Sequence, residues 1–288
     1  CVDRTGSGAL GDGNGMVIEA ASGTRVGGTT AAARNVVGGT PNTGIALITG
    51  ATGNYIIGNY IGTDSSGTAP VATLKGILVS ASPGNFIGGN SAGERNVISG
   101  NTTFGVELRG STSTANRVFG NLIGTSVNGT TNMGNGWHGV VFTMGANADS
   151  VIGNVVAFNK GVGVYDSTGT NHVIRRNAIF EDTARGIDLF PAGLSPNDSM
   201  DADTGANDLQ NYPVLDSASV SGGVTHVYGR FNSRPNRTYV LEFFSSDAVD
   251  PSHFGEGQTY LGSKVVQTDA AGNVFLGVTL PTVTVNKI

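Results

Sequence analysis

The side chains that could do chemistry in this chain are a few acids, one histidine and their basic neighbours. Asp166, Asp182 and Asp188 fall within 23 residues, with Arg185 among them and His138 upstream. Paired carboxyls about 5–9.5 Å apart are what glycoside hydrolysis requires. Glu107 is a further acid, with Arg109 two residues on, and Trp137 and Tyr165 supply flat apolar surface. A second acidic group, Asp198, Asp201, Asp203 and Asn207, places hard oxygen donors at short, mostly alternate spacing. Calcium loops use such spacing. No Glu closes the group, so an Asx-rich turn, in which Asp and Asn satisfy their own backbone, is the competing assignment. Other chemistries lack their residues. There is no GxSxG elbow, the four histidines are scattered without metal-ligand spacing, and no helix follows the Gly-rich runs to make a phosphate loop.

The elements that must position these residues are repeats. Gly76-Ile77-Leu78-Val79 returns as Gly105-Val106-Glu107-Leu108, and the same phrase begins at Gly15, Gly44, Gly139, Gly163 and Gly186, at steps of 23 to 34 residues. Such periods signal a solenoid. The apolar runs are short, β-branched and alternating, so each predicts a strand. Three strands per period, turned by Gly and Asn, predict parallel β-coils stacked on one another. A second phrase, in the forms NYIIGN, NFIGGN, NRVFGN, DSVIGN and HVIRRN, ends on Asn59, Asn90, Asn121, Asn154 and Asn177. Asn tolerates left-handed turns, and its amide can bond to the amide one coil away. These five residues are therefore expected to form an internal ladder.

The phrases IGTDSSGT, NFIGG, RNVISGN, GNLIGT and RGIDL resemble bacterial secreted and cell-surface proteins of the right-handed parallel β-helix class, the broad pectate-lyase-like group. The resemblance implies an all-β chain: a right-handed β-helix of six to seven coils over residues 1–190, then a partial β-sandwich over 213–288. Between them, residues 191–212 read as an Asp/Asn-rich linker. The rule for parallel crossovers agrees on the hand. Residues 224–229, 238–244, 259–267 and 274–280 predict the strands of the sandwich. The resemblance also implies an extracellular location and a polysaccharide groove on the first-strand face. Of the family's hydrolase signatures, NTD is missing and GWHG echoes GHG only in part. Lyase chemistry wants a basic residue beside calcium-binding acids, whereas Arg175 and Arg176 follow the second strand, on another face.

Alternation along the first strands points Val17, Ala46, Leu78, Glu107, Val141, Tyr165 and Asp188 outward. Glu107 and Asp188, three coils apart, would then be separated by roughly 14 Å, too far for an acid pair. Asp188 with Asp166 or Asp182 is closer, but Asp166 takes an inward position. The outward column is mostly apolar or small. A non-catalytic module, a rigid stalk or binding surface for carbohydrate with Glu107, Arg109, Trp137 and Tyr165 as contacts, therefore leads over a lyase or hydrolase using Asp188, Asp182, Asp166 and His138.

Composition bounds the rest. The chain has 288 residues, 46 of them Gly, with 13% charged and a net charge of −5. Positive φ at turns accounts for much of the glycine. Nucleic acid is excluded as a main partner for want of clustered Lys and Arg. No apolar run is long enough to span a membrane. A single cysteine, Cys1, forbids an internal disulfide. Cys1 is read as a lipidated terminus or as the place where a longer chain was cut. The chain starts in the middle of a coil and stops where related chains continue with further strands. It is therefore expected to be a fragment of a larger surface protein, or a unit whose ends a partner covers. Open β-helix or sandwich ends are expected to self-associate.

Overall fold

The computed structural model describes residues 13–248 and 254–283. Cys1 lies outside them. Three parallel sheets are wound from one repeating path. The first has seven strands: Met16–Glu19, Thr43–Ile48, Lys75–Ser80, Val106–Arg109, Val140–Thr143, Val164–Asp166 and Ile187–Leu189. The second runs from Arg25–Gly27 to Val173–Arg175 and the third from Val36–Val37 to Ala178–Phe180, each with six strands in chain order. Every neighbour is one coil away and parallel, as in Val106↔Val140 and Glu107↔Val141. The chain is a parallel β-helix, followed by antiparallel sheets.

Each strand contributes inward residues to one continuous interior. Ile45, Leu47, Ile56, Ile61, Ile77, Ile87, Ile98, Leu108, Val118 and Ile123 are all fully buried there. The opening glycine of the repeated phrase has its own cause. A Cβ on Gly76 would lie 2.5 Å from the Gly105 carbonyl oxygen, and one on Gly105 or Gly139 would lie 2.6 Å from the next glycine's oxygen. No side chain fits where successive coils approach that closely.

The ladder exists, with one change of member. Asn59 Nδ2 donates to Asn96 Oδ1 at 3.1 Å, Asn96 to Asn121 at 2.9 Å, and Asn121 and Asn154 each to the next at 3.0 Å, ending on Asn177. Asn35 extends it at the other end. Asn90 is exposed and takes no part; Asn96 holds its place. The amide column belongs to the residue just before the third strand. In this coil the insert carrying the 3-10 turn Ala92–Glu94 separates that residue from the end of the second strand.

The other two corners carry ladders as well. Asn54, Asn85, Asn116 and Asp149 are joined side chain to side chain at 2.9–3.1 Å. Asp149 N donates to His172 Nδ1, and His172 N donates to Asn207 Oδ1. The third corner runs Thr73, Asn101, Asn135, Asn159, Asp182. Turn amides that a coil would otherwise bury unpaired are satisfied this way at every corner.

The antiparallel part has a three-stranded sheet (Val214–Ser221, Val224–Asn232, Asn273–Pro281) and a two-stranded one (Thr238–Ser245, Thr259–Gln267). Val214–Ser221 is an additional strand, not foreseen from sequence. Val227, Phe231, Leu241, Phe243, Val266, Leu276 and Leu280 share a core between the two sheets. This part closes the last coil: Ile179 N donates to Gly257 O, and Arg176 N to Glu242 Oε2. Earlier coils have glycine at the left-handed position that Arg176 occupies with φ 52°.

Candidate functional site

The outer face of the first sheet gathers most of the chemistry-bearing residues on its later coils. The turn before Val140–Thr143 lays Trp137 and His138 against Phe104 of the previous coil and Tyr165 of the next. Ring centroids are 5.3 Å apart for Phe104–Trp137, 4.7 Å for Trp137–His138 and 4.8 Å for His138–Tyr165, with interplanar angles of 22–27°. Four rings thus form one strip along the helix axis. Trp137 is 52% exposed and is the apolar prow of this strip. His138 is buried, and its Nδ1 accepts from Val162 N at 2.9 Å, so Nε2 carries the proton. Burial pulls its pKa down to about 4, so the ring is neutral over the ordinary pH range.

Charged pairs flank the strip. Lys75 Nζ lies 2.5 Å from Glu107 Oε2 and 5.7 Å from the Phe104 ring centroid. Glu107 also accepts from Thr143 Oγ1 and is only 4% exposed. Beyond Tyr165, Asp188 pairs with Arg185 at 3.4 Å and accepts from Gly193 N. Asp188 is 5% exposed, and its pKa is raised, by burial first and against the pull of Gly193 and Arg185. Tyr165 is also raised, by burial and then by the Asp188 and Asp166 charges. The column expected to face open solvent is therefore largely covered. Its side chains stack at coil spacing and shield one another, as Val141 at 1% exposure shows. Arg109 turns aside, its Nε directed at Met144 Sδ.

The three candidate acids do not form a cluster. Asp188 lies on the outer face. Asp166 points inward, is fully buried, and sits 3.8 Å from His172 Nε2. Asp182 is the last rung of the third-corner ladder. The sequence placed them one coil apart, but strand alternation and the corner put them on different sides of the coil wall. Arg175 and Arg176 are spent on Glu242. Phe104 and Lys75 were missed in sequence. The signal was present: Phe104 precedes its Gly phrase by one residue, as His138 precedes Gly139.

In the linker, Asp198, Asp201 and Asp203 each bring a carboxylate oxygen within 4.8 Å of the others. Asp201 is buried and accepts from Asn211 N and Ser233 Oγ. Oδ1 of Asp198 and Oδ1 of Asp203 are buried without a hydrogen-bond donor. Burial, then the charges of Asp198 and Asp201, raise the Asp203 pKa. Asn207 is not part of this group. Its amide is engaged with the backbone of His172, as the outermost rung of the second-corner ladder.

The fold defines a parallel β-helix protein with a ring-lined outer face. No family model matches the chain, and no curated protein does. Among solved structures, a mutant of the periplasmic alginate epimerase AlgG is similar at 18% identity and a TM-score of 0.40. The match covers 63% of this chain and 37% of that one. No helix among the described residues is long and apolar enough to cross a membrane.

Proposed function

We propose that this chain is a non-catalytic β-helix module of an extracellular protein, secreted or at the cell surface, that binds carbohydrate on the outer face of its first sheet. The observation that carries this is the strip Phe104–Trp137–His138–Tyr165, with Trp137 half exposed and ionic pairs at both ends. A flat apolar ring beside fixed charged groups suits a sugar, whose faces are apolar and whose edges are polar. Glycan-array or affinity-electrophoresis binding that Trp137→Ala abolishes would support it. Binding unchanged in Trp137→Ala would overturn it.

The enzyme alternative rests on Asp188, a partly desolvated acid beside Tyr165 and Arg185. Against it stands the separation of Asp166 and Asp182 from that face. Reducing-end or unsaturated-product release on a polysaccharide panel, lost in Asp188→Ala, would favour the enzyme.

Calcium is proposed as a structural ion at Asp198, Asp201 and Asp203. Their hard oxygen atoms fit it, and the donorless Oδ1 atoms of Asp198 and Asp203 support the assignment. The ion would tie the linker to the strand ending at Asn232, through Asp201 and Ser233. Self-association through the exposed strand Val214–Ser221 is a further proposal; a monomer in sedimentation at high concentration would remove it.

A further inference from the structure

In the last coils the second-corner ladder passes through an acid and the third-corner ladder ends on one. Asp149 stands where Asn54, Asn85 and Asn116 stand in earlier coils, and Asp182 where Asn101, Asn135 and Asn159 stand. Both keep the accepting half of the asparagine role. Asp149 Oδ1 takes Asn116 N at 2.7 Å and Nδ2 at 3.0 Å; Asp182 Oδ1 takes Asn159 N at 2.7 Å and Nδ2 at 2.8 Å. The donating half differs. Each asparagine rung gives one Nδ2 hydrogen to the next rung's oxygen, and three of them also give one to a carbonyl of the preceding coil: Asn54 to Ala21 at 3.1 Å, Asn85 to Ala51 at 2.9 Å and Asn135 to Ile98 at 3.2 Å. An ionised carboxylate has no hydrogen to give. Asp149 Oδ2 and Asp182 Oδ2 are buried and have no partner. A bare charge there carries a heavy desolvation cost, whereas a neutral carboxylic acid carries an O–H in the position of the amide N–H.

We propose that Asp149 and Asp182 complete their ladders as neutral acids, so that protons lock the last coils of the helix and their loss loosens that end. The surroundings are consistent. Asp149 is faced by Asn116, by His172, whose Nδ1 accepts from Asp149 N, and by the charge of Asp166. Asp166, fully buried and with the Thr168 backbone N–H as its nearest donor, stands 3.8 Å from His172 Nε2, and Phe142 closes the other side by stacking on the imidazole at 3.9 Å. Asp182 is faced by Asn159 and the Gly163 backbone; the charged groups on adjoining elements are Arg185 and Glu256, whose Cγ lies against Gly186. Burial pushes both acids up to about 7, so the proton is held through mildly acidic conditions and released near neutrality.

The test is thermal unfolding of the full chain between pH 5 and 8.5, for the wild type, Asp149→Asn, Asp182→Asn and the double variant. Asparagine mimics the protonated rung. The wild-type Tm is expected to fall on the order of 5 °C or more across that range, and each Asn substitution to remove part of the fall, chiefly by raising Tm at pH 8.5. Asp182→Asn is the cleaner arm, because Asp149 shares its surroundings with Asp166 and His172. A wild-type Tm that is flat across the range, or Asn variants with the wild-type slope, would overturn the proposal. Should a variant not fold, the assigned carboxyl 13C shifts of Asp149 and Asp182 in labelled wild type at pH 5.5 decide instead: both neutral supports the proposal, and either one ionised refutes it.

Discussion

The early and late coils share one path and one set of corners, yet they are built for different ends. In the coils up to about Thr125 the ladder rungs are mostly amides and the interior is almost wholly Ile, Leu and Val. From Trp137 onward the corners carry Asp149, His172 and Asp182, Asp166 turns inward, and the outer face carries His138, Tyr165 and Asp188. In the early coils every ladder asparagine has its side-chain partner. Chemistry and proton sensitivity are concentrated in the late coils, where some buried carboxyl oxygens lack one. The contrast teaches that a repeated backbone does not impose a repeated stability.

The largest effect that could break this contrast is expected from Asn121→Ala in the middle of the first ladder. It would strand the Asn96 N and Nδ2 donors, which now reach Asn121 Oδ1. Each orphaned donor costs about 1–3 kcal/mol, to be read from denaturant unfolding. Gly105→Ala comes next: its Cβ would meet the Gly139 oxygen at 2.6 Å, and overpacking of this kind costs about 1–3 kcal/mol. Asp182→Asn, in the equivalent architecture of the late coils, is expected to cost nothing at pH 5.

The pH profile sharpens the comparison further. Asp149, Asp166 and Asp182 are each raised from 3.8 to about 7, so their stabilisation is complete below pH 3.8 and is lost as pH rises through about 7. His138 and His172 are lowered from 6.5 to about 4, so theirs is present above pH 6.5 and lost as pH falls through about 4. From pH 4 to 6.5 the two slopes largely oppose each other. From pH 6.5 to about 7 only the acids act, and there the steepest loss of stability is expected in pH-dependent denaturant unfolding. A smaller effect is expected from calcium: millimolar ion stabilises by RT ln(1 + [L]/Kd), which should raise Tm by a few degrees, and Asp203→Asn should abolish the rise. Smallest for stability is Trp137→Ala. A half-exposed ring at a turn should cost about 1 kcal/mol or less in chemical denaturation while removing glycan binding.

Much of the fold was legible because each coil repeats its cause. The glycine opening each phrase recurs because each coil meets the next in the same way, and alternation within each run assigned inward and outward faces. The slip from Asn90 to Asn96 has a physical reason: ladder position follows the start of the third strand, and an insert displaced it from the phrase that marked it. The two missed ladders had signals in plain text. Asn54, Asn85, Asn116, Asp149 and His172 each immediately precede the second strand, and Asn101, Asn135, Asn159 and Asp182 each stand four residues before a Gly phrase. Substitution of Asp or His in the last rungs hid the repetition.

The site was less legible. Tyr165, Glu107 and Asp188 share a face because strand alternation requires it, and Trp137 joins them from the turn ahead of its strand, but their burial, pairing and ring stacking depend on loops whose paths have no period. Asn207 shows the same divide: its amide reads as an oxygen ligand beside three aspartates, yet it is held by the backbone of a residue 35 positions away. Sequence by itself determined the coil, its three strands and which side chains point inward, because these follow from local spacing. Only the tertiary structure decided which acids are partnered, which are left without a donor and which rings touch, because those depend on distances between coils and loops that no local pattern encodes.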